Sequence, residues 1–120
     1  MRGMVKAFKA LADETRLRML NVLMERECCV CEVMQALDVS QACASRNLSA
    51  LENAGLLKMR RDGRWSIYSI DEDAGQEYLG ELIRAVAKGL EGNSRGEKDR
   101  SRLRSARRVG PAAVRRGVKG

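Results

Sequence analysis

Residues 27–55 read ECCVCEVMQALDVSQACASRNLSALENAG, and this stretch decides the fold. Val30, Val33, Met34 and Leu37 recur at intervals of three and four, so a helix with one apolar stripe is expected over residues 27–37. Asp38-Val39-Ser40 breaks the period. Ser40 suits the N-cap of a second helix over residues 41–54, whose Ala44, Leu48 and Leu51 face inward and whose end is marked by Gly55. Two helices joined by a three-residue turn have the outline of a helix-turn-helix.

Working outward, Met4, Phe8 and Leu11 predict a short amphipathic helix ending near Ala12. Asp13 then caps a helix over residues 15–25, with Leu17, Leu20, Leu23 and Met24 on one face. On the other side the period changes. Residues 56–60 and 65–70 are β-prone runs around Arg61-Asp62-Gly63-Arg64, and Asp62-Gly63 signals a tight hairpin turn. A last helix over residues 73–90 carries Leu79, Leu82, Ile83, Val86 and Leu90 on one stripe. The expected fold is mainly α with a β-hairpin: a winged helix-turn-helix, dimeric.

The chain has 120 residues, four Cys and no His. Without His, a Ser-His-Asp triad, a Cys-His pair, a His-ligated zinc and a haem on a proximal His are excluded within this chain. No uninterrupted apolar run exceeds four residues, so neither a membrane span nor a signal-peptide core is expected, and a cytoplasmic location is. The net charge of +7 is unevenly spread. Residues 1–92, read as the DNA-binding and sensing domain, carry a net of −1, whereas residues 93–120 carry +8 with few large apolar side chains. That second stretch is expected to be a disordered basic tail adding sequence-independent attraction to phosphate.

A recognition helix enters the major groove with its N-terminal half. Ser40, Gln41, Ser45, Arg46 and Ser49 are its candidate contacts: Gln can pair with adenine, Arg with guanine or phosphate, Ser with either. Arg60, Arg61 and Arg64 are expected at the wing tip, within reach of backbone or minor groove. One such unit covers a half-site, and Phe8, Leu11, Leu79, Leu82, Ile83 and Val86 are expected to pair two copies across a two-fold axis.

Cys28, Cys29 and Cys31 are soft sulfur donors within four residues, suited to a thiophilic ion or an oxidant. Read as helix, Cys28 and Cys31 are neighbours while Cys29 and Cys31 point to nearly opposite sides. Three-sulfur capture would therefore unwind the turn that supports the recognition helix and draw the population away from the DNA-competent form. The helix N-terminus is expected to favour thiolate.

Ala10-Leu11-Ala12-Asp13-Glu14-Thr15-Arg16-Leu17, Glu27-Cys28-Cys29-Val30-Cys31-Glu32-Val33, Ser45-Arg46-Asn47-Leu48 and Ala54-Gly55-Leu56-Leu57 together resemble the ArsR/SmtB family of bacterial metal-responsive repressors, in particular its arsenic-responsive branch. The resemblance spans roughly residues 4–90. It implies a homodimer that sits on operator DNA and leaves when As(III) or Sb(III) is captured. The chain departs from the family pattern at Cys28, where an apolar residue is usual, at Met34, where some members have a third Cys, and at Asn47, commonly His. Cys28 is expected to be the third ligand, by proximity rather than by family rule.

A thiol-redox-sensing repressor is the main competing reading, ahead of a cadmium-, lead- or zinc-responsive one and of a constitutive architectural protein. Cys28-Cys29-Val30-Cys31 also has the spacing of a thiol-disulfide oxidoreductase motif, but the expected helix before it does not match the strand such a motif follows.

Overall fold

The computed structural model describes residues 1–72 and 77–110. Its elements run α1 (Arg2–Leu11), α2 (Glu14–Glu25), β1 (Cys28–Cys29), α3 (Val30–Leu37), α4 (Gln41–Asn53), β2 (Leu57–Asp62), β3 (Trp65–Ile70), α5 (Glu77–Gly89) and α6 (Ser94–Ser105). Asp13 caps α2 by accepting from the Arg16 amide at 3.0 Å. Ser40 does the same for α4, its Oγ accepting from the Cys43 amide at 3.1 Å. Between α3 and α4, Asp38 takes the left-handed conformation (φ 57°), which short polar side chains tolerate better than most. Gly55 follows α4 at φ 85°, and a Cβ there would also meet Leu79 Cδ1 at 3.3 Å.

The hairpin is tighter than the sequence suggested. β2 continues through Asp62, which pairs with Trp65, so only Gly63 and Arg64 turn, with Gly63 at φ 60°. The sheet order is β1-β3-β2, all antiparallel. Helices and sheet enclose one core in which Met19, Leu20, Leu37, Leu48, Leu51, Leu56 and Ile67 are fully buried, each burial stabilising by roughly 1.5–3 kcal/mol.

Two expectations about elements are corrected. The helix expected from residue 27 begins at Val30, because Cys28 and Cys29 are extended and pair with Tyr68 and Ile67 of β3. The stretch from residue 93, expected to be a disordered tail, forms α6 over Ser94–Ser105 and packs on α2 and α3. Asn93 caps it by accepting from the Gly96 amide, and Asp99 and Leu103 are fully buried. Residues 111–120 of the expected tail, and 73–76 of the expected last helix, lie outside the described residues.

The residues expected at a dimer interface divide. Phe8 is 53% exposed beside exposed Met4 and Val5, and Leu11, Leu82 and Val86 are half-buried. Leu79 and Ile83 instead fill the protomer's own core, where α5 packs on α2 and Leu79 fits against Gly55. Among the described residues no helix is long and apolar enough to cross a membrane.

Candidate nucleic-acid interface and cysteine site

On α4, Ala44, Leu48 and Leu51 are buried as the period predicts, which fixes the opposite face outward. Ser40, Gln41, Arg46 and Ser49 are exposed and Ser45 is half-buried. The candidate contacts therefore share one surface. Asn47 does not belong to it. Buried between α4 and α2, it accepts from Arg16 Nη1 at 3.0 Å and donates to the Cys43 carbonyl at 2.9 Å, while Arg16 also donates to the Ala10 carbonyl at 2.6 Å. Asn47 thus ties the recognition helix to the end of α1, a role that its amide chemistry allowed but that sequence reasoning missed.

The wing arginines do not cluster at a tip. Arg60 and Arg61 lie within β2 as consecutive residues and so face opposite sides of the sheet. Arg60 pairs with Glu27 at 2.6 Å across an exposed surface, a contact worth about 0–1 kcal/mol. Arg61 donates to Ser66 Oγ at 2.9 Å. Arg64, alone of the three in the turn, lies over the Trp65 ring at 4.8 Å from its centroid.

The cysteines are where local structure departs furthest from the helical reading. Cys29 is the N-cap of α3, with extended backbone at φ −82° and ψ 170°, and this conformation brings its sulfur to that of Cys31, to which it is joined as a disulfide across a Cα–Cα distance of 5.5 Å. The expected splay of Cys29 and Cys31 is therefore absent. Cys28, adjacent in the same short strand, presents to the other face. It is fully buried, its thiol donates to the Arg26 carbonyl at 3.4 Å, and burial pushes its pKa up to about 12, the charge of Arg26 offsetting only part of this. At Cys28 that is opposite to the expected thiolate preference. Cys28 is not placed with the pair, and among the described residues no group of three His, Cys, Asp or Glu is placed to hold a metal ion.

Glu32 organises the site. Its Oε1 accepts from the Cys29 amide at 2.9 Å, and its carboxylate is paired with Arg26 at 2.8 Å and Arg108 at 3.2 Å. A cleft of about 500 Å³ opens beside the pair, lined by Cys29 and Cys31, by Gln41 and Ser45 of α4, by Trp65 of the wing and by Gly110. The sulfur pair and the N-terminal end of α4 thus face one space.

Comparison with known proteins agrees with this architecture. Residues 13–58 match the model of a family described as bacterial regulatory protein, arsR family. The arsenic resistance transcriptional regulator ArsR1 of Pseudomonas putida is 47% identical over 84 residues, covering 69% of this chain and 62% of that protein, short of two thirds of its length. An arsenical resistance operon repressor of Bacillus subtilis is 34% identical over 77 residues, covering 63% of this chain and 73% of that protein. Among solved structures, a homodimeric winged helix-turn-helix DNA-binding domain from Mycobacterium bovis, a possible ArsR-family transcriptional regulator, aligns with a TM-score of 0.63 at 29% identity, covering 78% of this chain and 82% of that one. These relatives are DNA-binding transcriptional regulators, not enzymes.

Proposed function

Since the chain belongs to the ArsR family of bacterial regulatory proteins, we propose that it is a repressor which holds operator DNA as a homodimer and leaves it when As(III) or Sb(III) is captured at Cys29 and Cys31. The observation that carries this reading is the shared cleft: the only two cysteines in mutual contact among the described residues line the same space as Gln41 and Ser45 at the DNA-reading end of α4.

In the reduced chain, As(OH)3 forms two As–S bonds, each thiol proton leaving with a displaced hydroxide as water. The arsenic then bridges the two sulfurs and fixes their spacing. Cys29 belongs to the β1–β3 ladder and Cys31 to the first turn of α3, so this bridge strains the joint between the wing and the helix that seats α4. A ligand that favours the strained form lowers the population able to bind DNA by its differential affinity for the two forms. Arg46 and Gln41 supply base contacts, Ser40, Ser45 and Ser49 supply base or phosphate contacts, and Arg61 and Arg64 reach phosphate. Exposed Met4, Val5 and Phe8 with Leu82 and Val86 supply the apolar dimer surface.

The test is retention of a DNA fragment selected by the protein from a random pool. Arsenite under reducing conditions should release it, and Cys29→Ser or Cys31→Ser should bind DNA equally well and ignore arsenite. Loss of DNA binding in both variants would assign the pair to structure instead. The disulfide supports a second reading, in which oxidation of the same two thiols is the signal. Release by peroxide alone, with arsenite inert, would select it.

A further inference from the structure

Both sulfurs of the pair belong to residues that are almost wholly buried, Cys29 at 1% and Cys31 at 2% exposure. The chain beyond α5 contributes to that burial. α6 is seated by Asp99, fully buried, which accepts from Arg18 Nε at 2.8 Å and Nη2 at 3.0 Å, and by the Leu103 carbonyl, which accepts from Arg26 at 3.0 Å. Past its end the chain turns across the first turn of α3. There Gln35 makes a two-bond clasp with one residue's backbone, its Nε2 donating to the Arg107 carbonyl at 2.6 Å and its Oε1 accepting from the Arg107 amide at 3.1 Å. The same carbonyl lies 3.9 Å from Cys31 Sγ. One residue on, Arg108 donates to Glu32 Oε1, the atom that also holds the Cys29 amide.

We propose that residues 94–110 are a built-in cover on one side of the cysteine pair, clasped by Gln35 and Glu32, and that lifting the 106–110 strap gives a thiophilic ligand faster access to the pair than the cleft alone allows. The proposal rests on the reading of that pair as the sensing site, but its cover can be tested apart from any metalloid. Because Glu32 Oε1 is shared between the Cys29 amide and Arg108, a shift of Cys29 disturbs the strap, and lifting the strap loosens Cys29. By linkage the coupling is reciprocal: ligand capture favours the open strap by the same factor that an open strap favours capture. The segment also lies outside the residues that match the family model.

The test uses the reduced full-length chain with Cys43→Ser, so that this half-buried thiol does not report, and the aromatic disulfide dithiobis(nitrobenzoate) as probe. Arg108→Ala should speed the reaction of Cys29 and Cys31 about fivefold, the shift in an opening equilibrium expected for one lost hydrogen bond, and Gln35→Ala, which loses two, at least as much. Rates equal to the parent in both variants would overturn the cover. Arg108→Ala alters a partly exposed side chain and keeps the test valid if Gln35→Ala unfolds. Hydrogen exchange of the Arg107 amide before and after one equivalent of arsenite provides the coupling. Faster exchange with thiols consumed supports it, whereas thiols consumed with unchanged exchange would reject it. If arsenite consumes no thiols while both variants still speed the probe, the metalloid reading fails and the cover stands.

Discussion

Asn47 and Cys28 each change the meaning of a surface by turning away from it. Asn47 sits one residue from Arg46 on the recognition helix, yet its amide is spent inside, holding Arg16. Asn47→Ala should therefore cost about 1–3 kcal/mol, because the half-buried Arg16 guanidinium loses a charge-assisted hydrogen bond to buried Asn47, and should leave the preferred DNA sequence unchanged. Denaturant unfolding checks the first part, and an unchanged midpoint would contradict it. The identity of Cys28 was plain in the sequence, but its direction was not, since one residue of strand or helix decides which side of the chain a thiol faces. Its pKa is raised from 9.0 to about 12 by burial, so the folded state holds its proton more tightly than the unfolded state. The stability this contributes is complete below about pH 9 and falls as pH climbs toward 12, at up to about 1.4 kcal/mol per pH unit. Comparison of the parent with Cys28→Ala across pH 8–11 isolates this. The parent should lose stability faster, and parallel curves would refute the burial.

At the scale of elements, α2, α4 and the hairpin were legible because periodicity, caps and the Asp62-Gly63 turn all point the same way. Two elements were not. β1 is two residues long and owes its form to pairing with β3, a partner some forty residues away, while the local pattern through Val30 and Val33 also fits helix. α6 has one large apolar residue, Leu103, so hydrophobic periodicity had almost nothing to report. It is docked chiefly by polar chemistry, above all the Arg18–Asp99 pair, with Arg18 also donating to the Leu37 carbonyl at the end of α3. Breaking such a pair from one side strands the other charge. Asp99→Ala should cost about 3 kcal/mol or more and detach α6, visible as a lower melting temperature together with loss of amide protection over residues 94–105. Full protection in a destabilised variant would mean that α6 is held by something else.

Over the whole molecule, the apolar residues divide between the protomer core and an exposed patch on α1. α1 leaves Met4, Val5 and Phe8 exposed, more than a small soluble protomer needs to show, whereas Leu79 and Ile83 belong to the protomer core. Phe8→Glu should therefore yield folded monomers in sedimentation and weaken DNA retention at least tenfold, because each half-site is then bound alone. Dimers persisting at the parent's affinity would move the interface elsewhere. The central claim is that two sulfurs, Cys29 and Cys31, control what α4 can hold. Its most direct measurement is titration of the reduced, DNA-bound protein with arsenite, counting the thiols lost per protomer while following release of the DNA. Two thiols lost in step with release is the predicted result. Loss of three, or loss of two with the DNA still bound, would contradict it.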